Sequence, residues 1–319
     1  MTETLSVIVP VFNNAESLQE LDEEFTKIET ALRDLDLSLQ LIFVDDGSAD
    51  VSLAKLIEIQ RRRDNAVVVK HTRNFGAVAA LKTGYKFVEG NCFMAIAADL
   101  QDPVARIVDL AKHWIAGSKF TVLVREKRSD PLPARAFSFL FYRLVRFLVA
   151  RDYPKTGFDV ALMDRQLLPY MQDSAKNINP SIFAHYLGFE PKMVPYRRDK
   201  RRYGKSGWTF GKKVRYFLDS IFGFSIAPSR YVTGLGLIVA LASLGYGVAV
   251  VGSALIFGSP LPGFPALAAL ISLLSGINLI MTGLVGEYVW RVFDEVNKRP
   301  EGVIDIVFKD NEPTTDPTT

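Results

Sequence analysis

The chain has 319 residues, of which 49% are hydrophobic and 23% are charged, and its formal net charge is +3. A hydrophobic content this high beside dense charge predicts two populations of residues, one for a soluble domain and one for a membrane. The single cysteine, Cys92, excludes an intrachain disulfide, and its apolar surroundings predict a core residue. No basic segment precedes the first apolar run, so we expect no cleaved signal peptide and an N-terminal domain in the cytosol.

Strand and helix patterns alternate through the first part of the chain. Strand-like apolar runs occupy residues 5–11, 39–44, 66–70, 92–97 and 120–124. Helical patterns lie between them, as in "ESLQELDEEFTKIETALRDL" and "VSLAKLIEIQRRR". Continuously apolar strands that alternate with helices predict an α/β domain whose parallel sheet is covered on both faces. Because ligands of such sheets bind beyond the carboxyl ends of the strands, the residues just after each strand are candidates for a site.

Polar segments follow the first four strands in turn: "PVFNNAES", "DDGSAD", "HTRNFGAVAALKTG" and "ADLQDP". Acids beyond two strands, with Arg and Gly beyond a third, suit a nucleotide held by its base, ribose and diphosphate. No GxGxxG or GxxxxGK[ST] sequence occurs, which argues against a dinucleotide fingerprint and a P-loop. A divalent cation must then neutralise the diphosphate, and Asp99 and Gln101 offer the oxygen ligands that Mg²⁺ or Mn²⁺ prefers. "DDGS" alone is also an ordinary turn and helix cap, so the ordered set carries the prediction.

Two segments have the character of helices at a membrane surface. "ARAFSFLFYRLVRFLVA" starts at Ala134, and "GKKVRYFLDSIFGFS" starts at Gly211. Each mixes Lys or Arg with many aromatic and aliphatic residues, which is typical of basic helices at a lipid headgroup layer. The alternative for each is a core helix with a solvated basic edge.

The stretch from Tyr231 to Gly286 contains no Asp, Glu, Lys, Arg or His. Residues 231–257 and 264–285 each supply the roughly 20 apolar residues that a span needs, and "GSPLPGFP" supplies a turn between them. Lys and Arg are dense before the first span and return after the second, so both flanks are predicted to be cytosolic. A buried hairpin in a soluble core is the weaker alternative, because soluble helices keep a polar face.

The ordered motifs resemble a known family. They are "VIVPVFNNAESL", "FVDDGSAD", "RNFGAVAALKTG", "ADLQDP", "GFDVALMDR", "RRYGKSGW" and a terminal hairpin ending in "GLVGEYVWRVFDEVNKRP". The chain resembles inverting, metal-dependent glycosyltransferases of the GT-A fold, family 2, over nearly its whole length. More narrowly, it is similar to the polyprenyl-phosphate glycosyltransferases, which include dolichyl-phosphate mannose synthases, bactoprenol glucosyltransferases and undecaprenyl-phosphate aminoarabinose transferases.

This resemblance implies a domain plan. A Rossmann-like GT-A domain would occupy residues 1–204, with an amphipathic interfacial helix at 133–150. A basic juxtamembrane helix at 205–230 would lead into a transmembrane hairpin of helices at 231–257 and 264–286. Residues 287–319 would form a cytosolic tail.

The resemblance also implies roles for individual residues. Pro10 and Phe12 would line the base pocket, and Asp46 would hydrogen-bond the base. The other implied nucleotide contacts are Arg73, Gly76, Asp99 and Arg202, the last at the diphosphate, and the implied metal ligands are Asp99 and Gln101. The implied acceptor-phosphate residues are Arg125, Arg128, Arg135 and Ser138. Arg125 and Arg135 would act with Asp159, which matches the family's active-site aspartate.

The implied reaction transfers a sugar, with inversion, from a nucleoside diphosphate to a polyprenyl phosphate such as undecaprenyl phosphate. A UDP-sugar is the favoured donor, and the implied place is the cytosolic face of the plasma (inner) membrane, in a multi-pass protein with both termini cytosolic. A homo-oligomer is compatible with this reading. Asp159 would either orient the sugar or the arginines, or deprotonate a monoanionic acceptor. Its alternative is structural: an ion pair with Arg165 or a loop cap.

Two departures from the family pattern stand out, and three alternatives compete. Ala97 replaces an acid common in the metal motif, and Asn14 replaces a glutamate often found directly after "FN".

A processive polysaccharide synthase would need more membrane helices and a QxxRW motif, which the sequence lacks. An inactive membrane scaffold is suggested only by Ala97. A nucleic-acid role for the basic cluster is disfavoured, because its place beside a span argues for anionic lipid.

Overall fold

The computed structural model describes residues 3–126, 132–176, 178–197, 210–225, 227–257, 263–310 and 312–314. The chain divides into two units. The first comprises Met1–Ser220 and Pro300–Thr319, and the second comprises Ile221–Arg299.

The first unit is built on one sheet, in which nine strands are described. They are β1 (Glu3–Val11), β2 (Leu37–Asp45), β3 (Ala66–His71), β4 (Cys92–Ala95), β5 (Phe120–Arg125), β6 (Phe158–Asp164), β7 (Lys192–Tyr196), β8 (Ile304–Lys309) and β9 (Glu312–Thr314). Their order across the sheet is β7-β5-β6-β4-β1-β2-β3-β8-β9. The five strands predicted from the sequence are β1 to β5, and each lies where it was expected.

The sheet is mixed, so the prediction of a wholly parallel sheet is wrong at both sides. β1 runs parallel to β2 and β4, β2 runs parallel to β3, and β5 runs parallel to β7. β6 lies antiparallel between β4 and β5, and β8 pairs antiparallel with β3. An antiparallel strand needs no helical crossover, so β6 can enter the sheet at the edge where the parallel strands end. Its first residues therefore lie at that carboxyl edge.

Helices cover both faces of this sheet, as predicted. In the first unit they are α1 (Leu18–Arg33), α2 (Ser52–Arg62), α3 (Ala77–Tyr85), α4 (Arg106–Ile115), α5 (Leu132–Leu148), α6 (Leu168–Gln172) and α7 (Pro180–Tyr186), and α8 (Phe210–Phe222) ends in the second unit. Alternate residues of β1 point to opposite faces: Val7 joins the core that contains Phe25 of α1, while Ile8 contacts Gly84 of α3. Cys92 is fully buried, which confirms it as a core residue.

The C-terminal residues return to the first unit as a strand. Val307 of β8 is buried and lies opposite Val69 of β3. The amide of Thr72 donates to the carbonyl oxygen of Val303 at 3.0 Å, and Lys70 pairs with Asp305 at 2.5 Å. The segment 287–319, expected as a cytosolic tail, therefore contains part of the sheet.

The second unit consists mainly of two long helices, α9 (Ala227–Phe257) and α10 (Phe264–Val296). Both expose large apolar side chains, among them Ile238 and Val248 of α9 and Leu279 of α10. Within the described residues, one segment, Leu273–Val296, is long and apolar enough to cross a membrane, with a mean hydropathy of 1.3 and no buried residue in the defining window. Residues 258–262, in the predicted turn, lie outside the described part of the chain.

Candidate functional site

The loops at the carboxyl edge of the sheet are held in unusual backbone conformations. Asn13, after β1, has φ of 52°, and Leu100, after β4, has φ of 55°. Such values are uncommon for residues other than glycine, and they concentrate at binding sites because the surrounding structure must enforce them. The loop after β2 stabilises this conformation of Asn13. The Asn13 amide donates to Ser48 Oγ at 3.0 Å, and its Oδ1 accepts from the Ala49 amide at 2.9 Å.

Both residues predicted to line a base pocket lie at this edge. Pro10 is half-buried near the end of β1, and Phe12 has 44% of its surface exposed. An exposed aromatic ring at a carboxyl edge is suited to stacking on a base. The base pocket itself stays a prediction.

Asp46 is buried and holds the loop between β3 and α3. Its Oδ1 accepts from the Phe75 amide at 2.8 Å, and its Oδ2 accepts from the Gly76 amide at 2.7 Å. The Nδ1 atom of His71 lies 2.9 Å from Oδ1, and its Nε2 atom lies 2.9 Å from Thr83 Oγ1. Asp46 therefore has a clear role within the protein, and its contact with a base stays a prediction. Sequence reasoning missed His71, whose only signal is a polar residue at a strand end.

Arg73 and Gly76 flank the same loop. The Arg73 guanidinium is exposed and lies 4.1 Å from the centre of the Phe75 ring, a cation–π contact. Gly76 precedes α3 and has φ of 102°, a conformation that suits glycine. The structure thus places a positive charge next to the backbone amides that Asp46 holds.

The predicted metal ligands lie on one short turn after β4. Asp99 is buried, and its Oδ1 accepts from the Gln101 amide at 3.2 Å, while Ala97 is exposed. Among the described residues, no group of three or more His, Cys, Asp or Glu side chains could hold a metal ion. One carboxylate and one amide oxygen fit an ion such as Mg²⁺, which commonly takes one or two carboxylates and completes its shell with water and substrate phosphates. The residues present therefore fit a cation that arrives with a diphosphate.

Asp159 lies at the carboxyl edge because it is the second residue of the antiparallel strand β6. Its Oδ2 atom is 2.5 Å from Arg125 Nε and 2.9 Å from the hydroxyl of Tyr196. The same hydroxyl is 2.9 Å from Asp102 Oδ1. Asp102 and Tyr196 thus join the predicted pair Asp159 and Arg125, and sequence reasoning missed both. The alternative partner, Arg165, instead donates to the carbonyl oxygens of Glu89 and Gly90.

Burial and the neighbouring carboxylates determine the protonation states of Arg125 and Tyr196. Burial opposes the charged form of Arg125, but the neighbouring Asp159 carboxylate outweighs it and raises the pKa of the guanidinium. Burial also raises the pKa of the Tyr196 hydroxyl, and Asp159 and Asp102 raise it further. At neutral pH, Arg125 is therefore a cation and Tyr196 is a hydrogen-bond donor.

The residues predicted to hold an acceptor phosphate are only partly described. Arg125 lies in the cluster above, and Ser138 is half-buried on α5. The backbone of Arg135 belongs to α5, but its side chain is outside the described part of the structure. Arg128 and Arg202 lie wholly outside the described residues. Their roles stay predictions.

α5 has one buried and one exposed apolar face. Phe141 packs on Tyr216 and Phe217 of α8, with ring centres 6.2 and 6.0 Å away. Phe139 and Phe147 point outward and are 63% and 66% exposed. An exposed aromatic face of this kind is a candidate interaction surface.

Comparisons with known proteins identify a family and several relatives of this chain. A family model described as "Glycosyl transferase family 2" matches residues 6–168. The chain is 31% identical over 303 residues to an uncharacterised glycosyltransferase, sll0501, of Synechocystis, and the match covers 94% of each. It is also 31% identical over 303 residues to an SfII prophage-derived bactoprenol glucosyl transferase of Shigella flexneri, covering 94% of this chain and 97% of that one.

One solved structure shares the fold over most of the chain. It is the mannosyltransferase PcManGT from Pyrobaculum calidifontis in complex with GDP-Man and Mn²⁺, with a TM-score of 0.51. The likeness covers 92% of this chain and 88% of that one at 18% identity. At that identity it shows a shared fold.

Proposed function

The chain belongs to glycosyl transferase family 2, as its motifs predicted, and from that premise we propose that it transfers a sugar from a nucleoside diphosphate to a polyprenyl phosphate. Its fold is the Rossmann-like GT-A fold. The observation that carries the proposal is the meeting of two groups at one edge. Asp99 and Gln101 offer oxygens for a metal-bound diphosphate. Asp159, which contacts Arg125, is linked to the same loop through the hydroxyl of Tyr196, which also contacts Asp102. The bactoprenol glucosyl transferase relative supports the lipid acceptor.

The chemistry of the acceptor explains why the site contains a charged arginine, Arg125. A phosphate monoester has a second pKa near roughly 6, so it is largely a dianion at neutral pH and already a nucleophile. The enzyme must chiefly overcome the repulsion between this anion and the anionic donor. Arg125, kept charged by Asp159, supplies a planar donor group suited to phosphate. A bound Mg²⁺ or Mn²⁺ would stabilise the departing diphosphate as a Lewis acid.

We assign Asp159 an orienting role. Its contact with Arg125 at 2.5 Å fixes the guanidinium, and a dianionic acceptor needs no strong base. The acceptor oxygen would attack the anomeric carbon in line with the leaving diphosphate, and this single displacement inverts the configuration. A UDP-sugar is the proposed donor.

The lipid tail of the acceptor explains the apolar surfaces. A polyprenyl chain stays in the bilayer, so the site must meet the phosphate at the headgroup layer. The exposed aromatic face of α5 would lie in that layer, and α9 and α10 would form a transmembrane hairpin. By the positive-inside rule, the cationic flanks favour a catalytic unit and both termini on the cytosolic side of the inner membrane. The retained Asp99, Arg125 and Asp159 favour this enzyme over an inactive scaffold.

The test is a transfer assay with radiolabelled UDP- and GDP-sugars, undecaprenyl phosphate in vesicles, and Mg²⁺ or Mn²⁺. We expect a labelled lipid that depends on the cation, and a loss of about 100-fold or more for Asp99→Ala. Asp34→Ala, an exposed acid just after α1, is the control and should behave as wild type. Full activity in Asp99→Ala would refute the metal assignment. No labelled lipid from any donor would refute the function.

A further inference from the structure

The hydroxyl of Tyr196 lies between two carboxylates, 2.9 Å from Asp159 and 2.9 Å from Asp102. We propose that Tyr196 is a positioning residue that fixes the distance between Asp159 and the loop of Asp99 and Gln101. The inference rests on the proposed function, because it assigns a role within that reaction.

The structure holds the Tyr196 ring in one place. Tyr196 is the last residue of β7 and lies opposite Arg125 of β5 in the strand register. Its carbonyl oxygen accepts from the Glu126 amide at 3.0 Å, and the side chain is 1% exposed within the hydrophobic core. A ring fixed by strand pairing and by core packing carries its hydroxyl to a fixed point.

The hydroxyl is the group that can join two carboxylates. An ionised carboxylate only accepts hydrogen bonds, whereas a tyrosine hydroxyl brings one proton. That proton can be shared between Asp159 and Asp102, because both oxygens are at hydrogen-bond distance. Burial and the two carboxylates raise the pKa of the hydroxyl, so the proton stays on Tyr196 at neutral pH. Without it, Asp159 and Asp102 would lose the hydrogen-bond donor that they share.

The two sides of this bridge serve different parts of the reaction. Asp102 directly follows Gln101, so it moves with the turn that offers ligands to the metal-bound diphosphate. Asp159 contacts Arg125, so it moves with the group proposed to hold the acceptor phosphate. A displacement of about 1 Å between reacting groups can lower a rate by about 100-fold. When the bridge is lost, Asp99 and Gln101 can still bind the metal-bound diphosphate, but their distance from Asp159 is no longer fixed. The bridge therefore acts on the chemical step more than on donor binding.

The experiment compares Tyr196→Phe with Tyr85→Phe in the full chain. Tyr85 is 2% exposed and packs edge-on against Phe93, so this control removes a buried hydroxyl from a different part of the unit. We expect Tyr196→Phe to lower kcat by about 10- to 100-fold and to leave the donor KM within about threefold of wild type. Tyr85→Phe should leave both values within about twofold.

A double-mutant cycle separates a bridge from a merely structural role. Asp102→Ala removes the other end of the bridge, so the double variant Tyr196→Phe with Asp102→Ala should be no slower than the slower single variant. If the two losses in kcat multiply instead, the residues act independently and the inference fails. Asp102→Ala also provides the test should Tyr196→Phe not fold.

The outcomes also separate this inference from the proposed function. If wild type forms no lipid-linked sugar, the proposed function is refuted, and the role inferred for Tyr196 is refuted as well. If wild type forms the product and Tyr196→Phe keeps its kcat, only the bridge is overturned. An equal rise in KM and fall in kcat would likewise overturn it, since it would indicate general damage to the site.

Discussion

At the scale of the residue, the site depends on contacts that local sequence does not encode. Asp99 is predicted from the sequence because it follows an apolar strand, and Asp159 is predicted because its motif resembles that of the family. Tyr196, Asp102 and His71 are not predicted, because a buried hydroxyl or ring acquires its role from partners distant in the chain. Tyr196 and Asp102 are 94 positions apart, and His71 and Asp46 are 25 apart. Only the tertiary fold shows which polar residues meet.

Gly157 is a residue whose size and conformation both affect the site. It lies two positions before Asp159, has φ of +68°, and a Cβ added there would lie 2.3 Å from the Tyr142 ring of α5. Gly157→Ala should destabilise the protein by about 1–2 kcal/mol through the backbone and by about 1–3 kcal/mol more through overpacking. The substitution should also lower the transfer rate, because a backbone shift at residue 157 would displace Asp159, two positions further along the chain.

Gly117→Ala is the matched control for this prediction. Gly117 has φ of +97°, but nothing lies within 4 Å of its added Cβ, so that variant bears the backbone cost alone. Thermal unfolding and transfer assays of both variants provide the comparison. Equal midpoints for the two variants, or wild-type activity in Gly157→Ala, would contradict the role of close packing.

At the scale of the element, sequence predicted the centre of the sheet better than its sides. β1 to β4 are buried and apolar, so their patterns stand out without knowledge of their partners. β7 is short and contains Pro195, and β8 lies beyond the long α9 and α10, where no neighbour in sequence suggests a sheet. The run of branched residues in "VIDIVF" is a strand signal, but it does not say which strand it joins.

β8 brings with it a segment that supports the loop of Asp46. Glu301 pairs with the buried Lys82 at 2.8 Å, and Gly302 lies against the ring of His71, which contacts Asp46. We expect Glu301→Gln to raise the donor KM. The segment beside His71 would lose its ion pair with Lys82, and His71 contacts Asp46, which holds the loop proposed to bind the nucleotide. The substitution should also destabilise the protein by about 1–3 kcal/mol, since a buried ammonium loses its carboxylate.

The control for Glu301→Gln is another ion pair of the same strand region. Glu89 pairs with Lys309 at 3.1 Å, but its side chain is 64% exposed, so Glu89→Gln should change stability by less than about 1 kcal/mol. Donor titrations and thermal unfolding of both variants test the difference. A donor KM that is unchanged in Glu301→Gln would show that the C-terminal segment is only a structural edge.

At the scale of the whole molecule, the second unit and α5 both expose large apolar side chains. Hydropathy alone predicts two membrane helices here, because uncharged stretches of such length are rare in soluble helices. Among the described residues, Leu273–Val296 is long and apolar enough to cross a membrane. Hydropathy could not predict which face of α5 is outward, because both faces are apolar. The structure buries Phe141 and Val145 and exposes Phe139 and Phe147. That choice follows from the packing of α8 on one face.

The outward face of α5 allows a test of membrane contact that leaves the chemistry in place. Phe139→Ser with Phe147→Ser should raise the KM for vesicle-bound acceptor by about tenfold, which corresponds to about 1.4 kcal/mol. Complete burial of each ring in lipid would contribute roughly 1.5–3 kcal/mol, so this effect requires only partial burial of the two rings. The donor KM should not change. Ile115→Ser, at the far end of α4 and 48% exposed, removes an apolar side chain of similar exposure and should leave the acceptor KM unchanged. If the acceptor KM rises equally in both, exposed apolar area in general is responsible, whereas a rise confined to the α5 variant means that this helix presents the site to the lipid phosphate.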